Sequence, residues 1–168
     1  MLNLLSNRKA LPDEFSNLIK LYPRNSWSSH ENFNDLTKFW LERHAMFREV
    51  NKKLITLSES YLDNPVDSFP RQVYQYTNFF LQQLDEHHKI EDTHFFPVLG
   101  KLDLRAEVGF KMLEKDHEQI HFLIEELAPM TNNVLAKLLN KTSKSQVSKL
   151  LLLQRKFEKA ILRHLSDE

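Results

Sequence analysis

The sequence predicts an all-α protein, an up-down-up-down four-helix bundle preceded by an irregular N-terminal arm. Three observations predict it. Only two glycines, Gly100 and Gly109, occur in 168 residues, too few for a turn-rich β protein. Apolar residues recur at three- and four-residue steps over four long stretches, the period of a helix with one buried face. Short segments rich in proline and turn formers separate those stretches, which favours antiparallel neighbours. The length fits one domain with one core.

Residues 1–27 read as the arm, broken by Pro12, Pro23 and the cluster Asn25-Ser-Trp-Ser-Ser29. Partial helical spacing of Phe15, Leu18, Ile19 and Leu21 predicts a short helix over Asp13 to Leu21. The bundle then occupies residues 28–168. Ser28 or Ser29 is placed to cap its first helix, with Glu31 in the first turn. That helix is expected from about His30 to Glu59, with Phe33, Leu36, Trp40, Phe47, Leu54 and Ile55 on one stripe and His44 among them. A loop from Tyr61 to Pro70 follows. The second helix is expected from about Arg71 to Phe96, led by Phe79, Phe80, Leu81 and Leu84, with Pro97 near its end. The third begins at Leu102 or Asp103 and runs to about Leu127 or beyond, and Pro129 is expected to kink or break it near there. Its face is Phe110, Leu113, His117, His121, Ile124 and Ala128. The fourth starts near Thr142 or Ser143 and carries Val147, Leu150, Leu153, Phe157, Ile161 and His164. No glycine cap or proline follows His164, so the helix is expected to run past Glu168.

Composition narrows the function. Twenty-three basic residues balance twenty-three acidic ones, and no basic stripe points to nucleic acid. The absence of cysteine excludes disulfides, thiolate metal sites and a thiol nucleophile. No apolar run approaches membrane length, and the first residues lack the apolar core of a signal peptide. A cytoplasmic location is expected. Eight histidines are the remaining oddity.

Their placement is more telling than their number. His87 and Glu91 are four residues apart, one turn along one helix face, and Leu84, Phe80 and Val98 fall close to that face. Each predicted helix puts at least one histidine on its apolar stripe: His44, His87, the pair His117 and His121, and His164. Two of them add a carboxylate four residues on, Glu91 and Glu168. A lone inward histidine is an ordinary hydrogen-bonded core residue. Five, converging with two carboxylates, leave an uncompensated polar core unless something binds them. A pair of metal ions does so, and imidazole with carboxylate suits iron, manganese or zinc.

This pattern resembles hemerythrin and its bacterial relatives, the HHE cation-binding domains. That family's signature is a lone histidine on helix one, then His-x-x-x-Glu ending in Phe-Pro on helix two. Helix three carries His-x-x-x-His, and helix four His-x-x-x-Glu or His-x-x-x-x-Asp. The chain shows His44, then His87-x-x-x-Glu91 with Phe96-Pro97, then His117-x-x-x-His121 and His164-x-x-x-Glu168. The resemblance covers about residues 30–168 and implies two non-haem iron ions joined by an oxo or hydroxo bridge. It implies that one iron takes His117, His121 and His164. The other takes His44 and His87 and keeps an open position, while Glu91 and Glu168 bridge. His94 stands where the family usually has an apolar residue; it reads as solvated, with a supporting role to a ligand as the alternative.

Two other motifs compete. His117-Glu118-Gln-Ile-His121 matches the zinc-protease pattern His-Glu-x-x-His. The extended form of that motif needs a glycine and a histidine where Ile124 and Leu127 stand. No glutamate between Glu126 and Glu158 serves the shorter form. Glu91-x-x-His94 and Glu114-x-x-His117 match the spacing of ferritin-like sites, but the fourth helix has no such motif. Either reading leaves several inward histidines idle, as does a metal-free bundle.

A histidine-rich di-iron site with an open position suits reversible binding of dioxygen or nitric oxide, for carriage, storage or sensing. No residue reads as a substrate-positioning base or nucleophile, so a binding protein is expected rather than an enzyme. The alternatives are repair of iron–sulfur clusters, detoxification of nitric oxide or peroxide, and iron storage. Relatives with the repair role tend to carry one histidine on helix three and a cysteine-bearing N-terminal segment.

Overall fold

The computed structural model describes residues 5–138 and 144–168. The arm holds a 3-10 turn, Asp13–Phe15, a short helix α1, Asn17–Leu21, and a second 3-10 stretch, Arg24–Ser29. Four further elements make the bundle: α2, Asp35–Asp63; α3, Phe69–Ile90, which continues through a π-helical segment, Glu91–Phe95, into α4, Phe96–Leu102; α5, Leu104–Leu138; and α6, Lys144–Asp167. There is no strand among the described residues. α2 packs on α3 and α6, and α5 packs on the same two, so sequential helices close a square. No helix among the described residues is long and apolar enough to cross a membrane.

The expected boundaries shift in instructive places. α2 starts later than expected because Asn34, not Ser28 or Ser29, caps it: its side chain accepts the Thr37 amide at 3.0 Å. Asp35 supplies the acidic first turn. Pro129 does not break α5, which runs through it to Leu138. An interior proline costs about 3 kcal/mol. Leu127, Thr131 and Val134 are all at least 98% buried on either side of it, and each fully buried Leu or Val returns about 1.5–3 kcal/mol. Packing therefore outweighs the lost hydrogen bond. The expected start of the fourth helix at Thr142 or Ser143 lies outside the described residues.

The second helix, expected to end at about Phe96, continues past Pro97 as α4. The chain widens into the π segment, where the Phe96 amide reaches back five residues to the Glu91 carbonyl. Proline cannot donate to the ladder and clashes with the carbonyl four residues before it; the wider turn relieves that clash. It also absorbs one residue of register. On an ideal α-helix Glu91 and Phe96 would stand roughly 140° apart; with one residue absorbed they stand about 40° apart. Both are buried.

The core runs along the bundle axis through Phe47, Leu54, Phe80, Leu127, Phe157 and Ile161. Leu36, Phe79 and Val98, assigned to stripes by periodicity, are about half exposed. Phe80 sits between Phe47 and Phe157 at ring distances of 6.2 and 5.4 Å. Phe47 in turn lies 5.1 Å from the His87 ring. The aromatic layer is thus the apolar floor under a polar layer at one end of the bundle.

Candidate metal centre

Four helices supply that polar layer. His44 comes from α2; His87 and His88 from α3, with Glu91 one turn on; His117 from α5; His164 from α6. Glu168 directly follows α6, and its amide donates to the His164 carbonyl at 3.1 Å. All six histidine and glutamate side chains of the helices are buried, and the Glu168 side chain is 5% exposed.

The ligand-type atoms form two groups. His44, His87, Glu91 and Glu168 make one; His88, Glu91, His117 and His164 make the other. Within each group the atoms lie within 4.8 Å of one another, and Glu91 belongs to both. In the first group, His44 Nε2 and His87 Nε2 stand 3.2 Å apart, each 3.3 Å from a carboxylate: Glu168 Oε2 and Glu91 Oε1. In the second, His117 Nε2 is 3.5 Å from both Glu91 Oε2 and Glu168 Oε1. His164 Nε2 lies 2.7 Å from Glu168 Oε1. Glu168 therefore also faces both groups.

Of the seven residues expected from sequence, His121 is the one that the structure does not bring to the others. Its side chain is 56% exposed, with Nε2 3.4 Å from Glu125 Oε1 and Nδ1 3.9 Å from Asp85. The buried line of α5 runs Leu113, Asp116, His117, Ile120, Leu123, Leu127. His121 falls on its outer flank, although it is one turn from His117. His88 stands in the vacated role, its ring stacked on His117 at 4.0 Å and 12°. Sequence reasoning missed it by following a single line through His87. The signal was there: Leu84, His87, His88 and Glu91 occupy positions i, i+3, i+4 and i+7, a full inward helix face. His94 is exposed, with Nδ1 2.6 Å from Thr93 Oγ1.

A supporting layer orients these groups. The Trp40 indole N–H donates to Glu91 Oε1 at 2.8 Å. Asp92 Oδ1 lies 2.7 Å from His117 Nδ1, which leaves Nε2 turned inward; burial opposes charge on this imidazole, but the Asp92 and Glu168 contacts outweigh it and raise its pKa above the usual value. Asp116 Oδ2 lies 3.5 Å from His164 Nδ1.

The electrostatics fit a site that takes up a cation. Burial pushes His44 down to about 4 and His87 to about 3, so both imidazoles are neutral at pH 7. Burial, then the charges of His117 and His164, also hold His88 low. Burial and the Glu168 charge drive Glu91 up to about 9. Burial opposes charge on His164, but Glu168 and Asp116 outweigh it and lift His164 to about 9. Burial likewise opposes charge on Glu168, yet His164 and His117 hold it well below the usual carboxylate range. Protons on Glu91 and His164 thus do part of the work that divalent ions do better. The unpaired atoms agree. Buried Glu91 Oε2, Glu168 Oε2, His88 Nε2 and both His164 nitrogens lack an aligned hydrogen-bond partner, which in a native core calls for an ion or water. Nitrogen and carboxylate donors of this number fit a first-row transition metal.

The family model of the hemerythrin HHE cation-binding domain matches residues 35–168. The searches of curated proteins and of solved structures returned no match. The match spans every element that carries these ligand-type residues, from His44 to Glu168, and the chain belongs to the hemerythrin HHE cation-binding family of metal-binding helical domains.

Proposed function

We propose that the chain holds two iron ions and binds a diatomic ligand, dioxygen or nitric oxide, for carriage, storage or sensing. The observation that carries this reading is Glu91, shared by both groups of buried ligand-type atoms: one carboxylate between two sets of imidazoles is a bridge. The proposed ligands are His44 and His87 for one ion and His88, His117 and His164 for the other, with Glu91 and Glu168 between them. Two ferrous ions so held would supply an open coordination position and electrons to a small bound molecule. The protein residues keep water out, and burial holds His44, His87 and His88 deprotonated. With two imidazoles against three, the ion held by His44 and His87 would have fewer protein donors and would be the one to offer an open position. A groove of about 490 Å³, lined by Asp85, Asp92, Glu118 and His121, has His88 and His117 on its wall.

The test is anaerobic reconstitution with ferrous iron, metal analysis, and optical spectra before and after exposure to dioxygen or nitric oxide. Two irons per chain and a new absorption band that reverses on degassing support the reading. One zinc and no iron after fair reconstitution overturn it.

A second reading, iron–sulfur cluster repair, detoxification or iron storage, is favoured by one observation. α5 contributes His117 alone, because His121 faces outward. Irreversible bleaching with iron loss on exposure would select this reading.

A further inference from the structure

The family match begins at residue 35, yet the segment before it reaches the metal centre. Leu5 is 3% exposed and belongs to the core. Arg8 is 5% exposed and spans two carboxylates. Its Nε donates to Asp167 Oδ2 at 2.6 Å, its Nη1 to Asp116 Oδ1 at 3.1 Å, and its Nη2 to Asp116 Oδ2. Asp116 directly precedes His117 on α5, and Asp167 directly precedes Glu168 after α6. One guanidinium therefore ties together the backbone neighbours of two proposed ligands on two helices. Asp116 also faces a third, His164.

Other arm contacts converge on the same end of α6. Arg163 Nη1 donates to the Lys9 carbonyl at 2.9 Å, and Arg24 Nη2 to the Ser166 carbonyl at 3.1 Å. The last carbonyls of a helix have no partners within it, and from α2 Arg48 covers another, that of Leu165, at 2.6 Å. The end of α6 that carries His164 and Glu168 is held by the arm.

We propose that Arg8 is a positioning residue for the metal centre, clamping Asp116 to Asp167 so that His117, His164 and Glu168 meet in one geometry. The clamp rests on the dinuclear reading above. Without Arg8, Asp116 keeps a buried carboxylate whose remaining described ion-pair contact is His164 Nδ1. The imidazole is then drawn toward α5 and away from Glu168, and a planar fork bound to two carboxylates is not replaced by an ammonium.

The experiment loads wild type, Arg8→Ala and Arg8→Lys with ferrous iron and follows its transfer to a chelator, with the optical spectrum of the loaded centre as a second readout. Partners that orient metal ligands typically contribute roughly 10–100-fold in metal affinity. Release from Arg8→Ala is expected to be faster by about that factor, with an altered spectrum, and low-millimolar guanidinium should slow it again. Arg8→Lys should also release faster than wild type. A folded Arg8→Ala with wild-type release and spectrum overturns the clamp. If Arg8→Ala does not fold, wild-type release from Arg8→Lys overturns it. A wild type that takes up fewer than two ions defeats the dinuclear reading itself, and the clamp with it.

Discussion

The Trp40 indole N–H donates to Glu91 Oε1 at 2.8 Å, while Glu91 Oε2 has no aligned partner. One oxygen of the shared carboxylate is thus fixed by the protein and the other left for a cation. Trp40 is itself held between the His87 and Phe95 rings at 4.7 and 4.6 Å. The bond also favours the charged form of Glu91 against its burial. Trp40→Phe keeps the ring packing and deletes the donor. Metal affinity should fall by roughly 10–100-fold with little change in helix content. In a Trp27→Phe background, iron loading should quench the remaining Trp40 fluorescence. Unchanged affinity in Trp40→Phe would show that the bond does not orient the bridge.

His88 and His121 give opposite expectations. His88→Ala removes a buried ring from the second ligand group and should lower iron content from two toward one per chain. His121→Ala removes a side chain 56% exposed and should leave stoichiometry and melting temperature nearly unchanged, as surface substitutions do within about 0.5 kcal/mol. Metal analysis of both variants decides. Retention in His88→Ala with loss in His121→Ala would restore the ligand set that the resemblance alone implies.

The bundle itself was legible because its period was long and regular, and each helix kept apolar residues on one face over many turns. What escaped was set by tertiary contacts. Pro129 reads locally as a breaker, but Leu127 and Val134 are buried on either side of it. His88 escaped because His87 already satisfied the expected motif, although i, i+3, i+4, i+7 spacing places both inward. Arg8 carried no local signal. Its partners lie 108 and 159 residues away, and nothing in the arm's composition marks one arginine as buried.

Protonation gives a third expectation. Glu91 and His164 both stand near 9 without metal, so each carries a proton at pH 7 that a bound cation must displace. Loading with ferrous iron at pH 7 should release more than one proton per chain. Affinity should climb between about pH 6 and pH 9, by roughly tenfold per pH unit for each proton displaced. The metal-free fold has the opposite slope there. A raised folded-state pKa contributes stability that is present below the unfolded value and lost as pH rises toward 9. On the acid side, His44 and His87 are depressed to about 4 and 3. Their contribution is present above about 6.5 and lost as pH falls through those values. Metal-free protein should therefore melt lower at both extremes, and calorimetry in buffers of different ionisation heat counts the protons. Loading without proton release would mean that Glu91 and His164 are not displaced from their protonated forms.

The π segment makes the last prediction. Between Glu91 and Phe96 the wide turn absorbs one residue, so that both stay buried on one face. Thr93 lies in that turn and is exposed; its hydroxyl donates to the Lys89 carbonyl at 2.6 Å, one turn earlier, and its oxygen lies 2.6 Å from Nδ1 of the equally exposed His94. Deleting Thr93 should convert the segment to ordinary α-helix while keeping Glu91 and Phe96 about 40° apart. Deleting Glu86, exposed toward the C-terminal end of α3, has no wide turn to absorb it. Every residue after it on the helix, His87, His88 and Glu91 included, then rotates by about 100° relative to Phe80 and Leu84. The expected contrast is a folded, two-iron protein for the Thr93 deletion and a metal-free, destabilised one for the Glu86 deletion, read by metal content and melting temperature. Both costs have one origin, the register of a helix against its neighbours, and only the first deletion removes a residue that the fold had already set aside. Equal loss of metal in both variants would mean that the π turn holds Glu91 in a way an α-helical turn does not, and its role would be local geometry at the ligand rather than register.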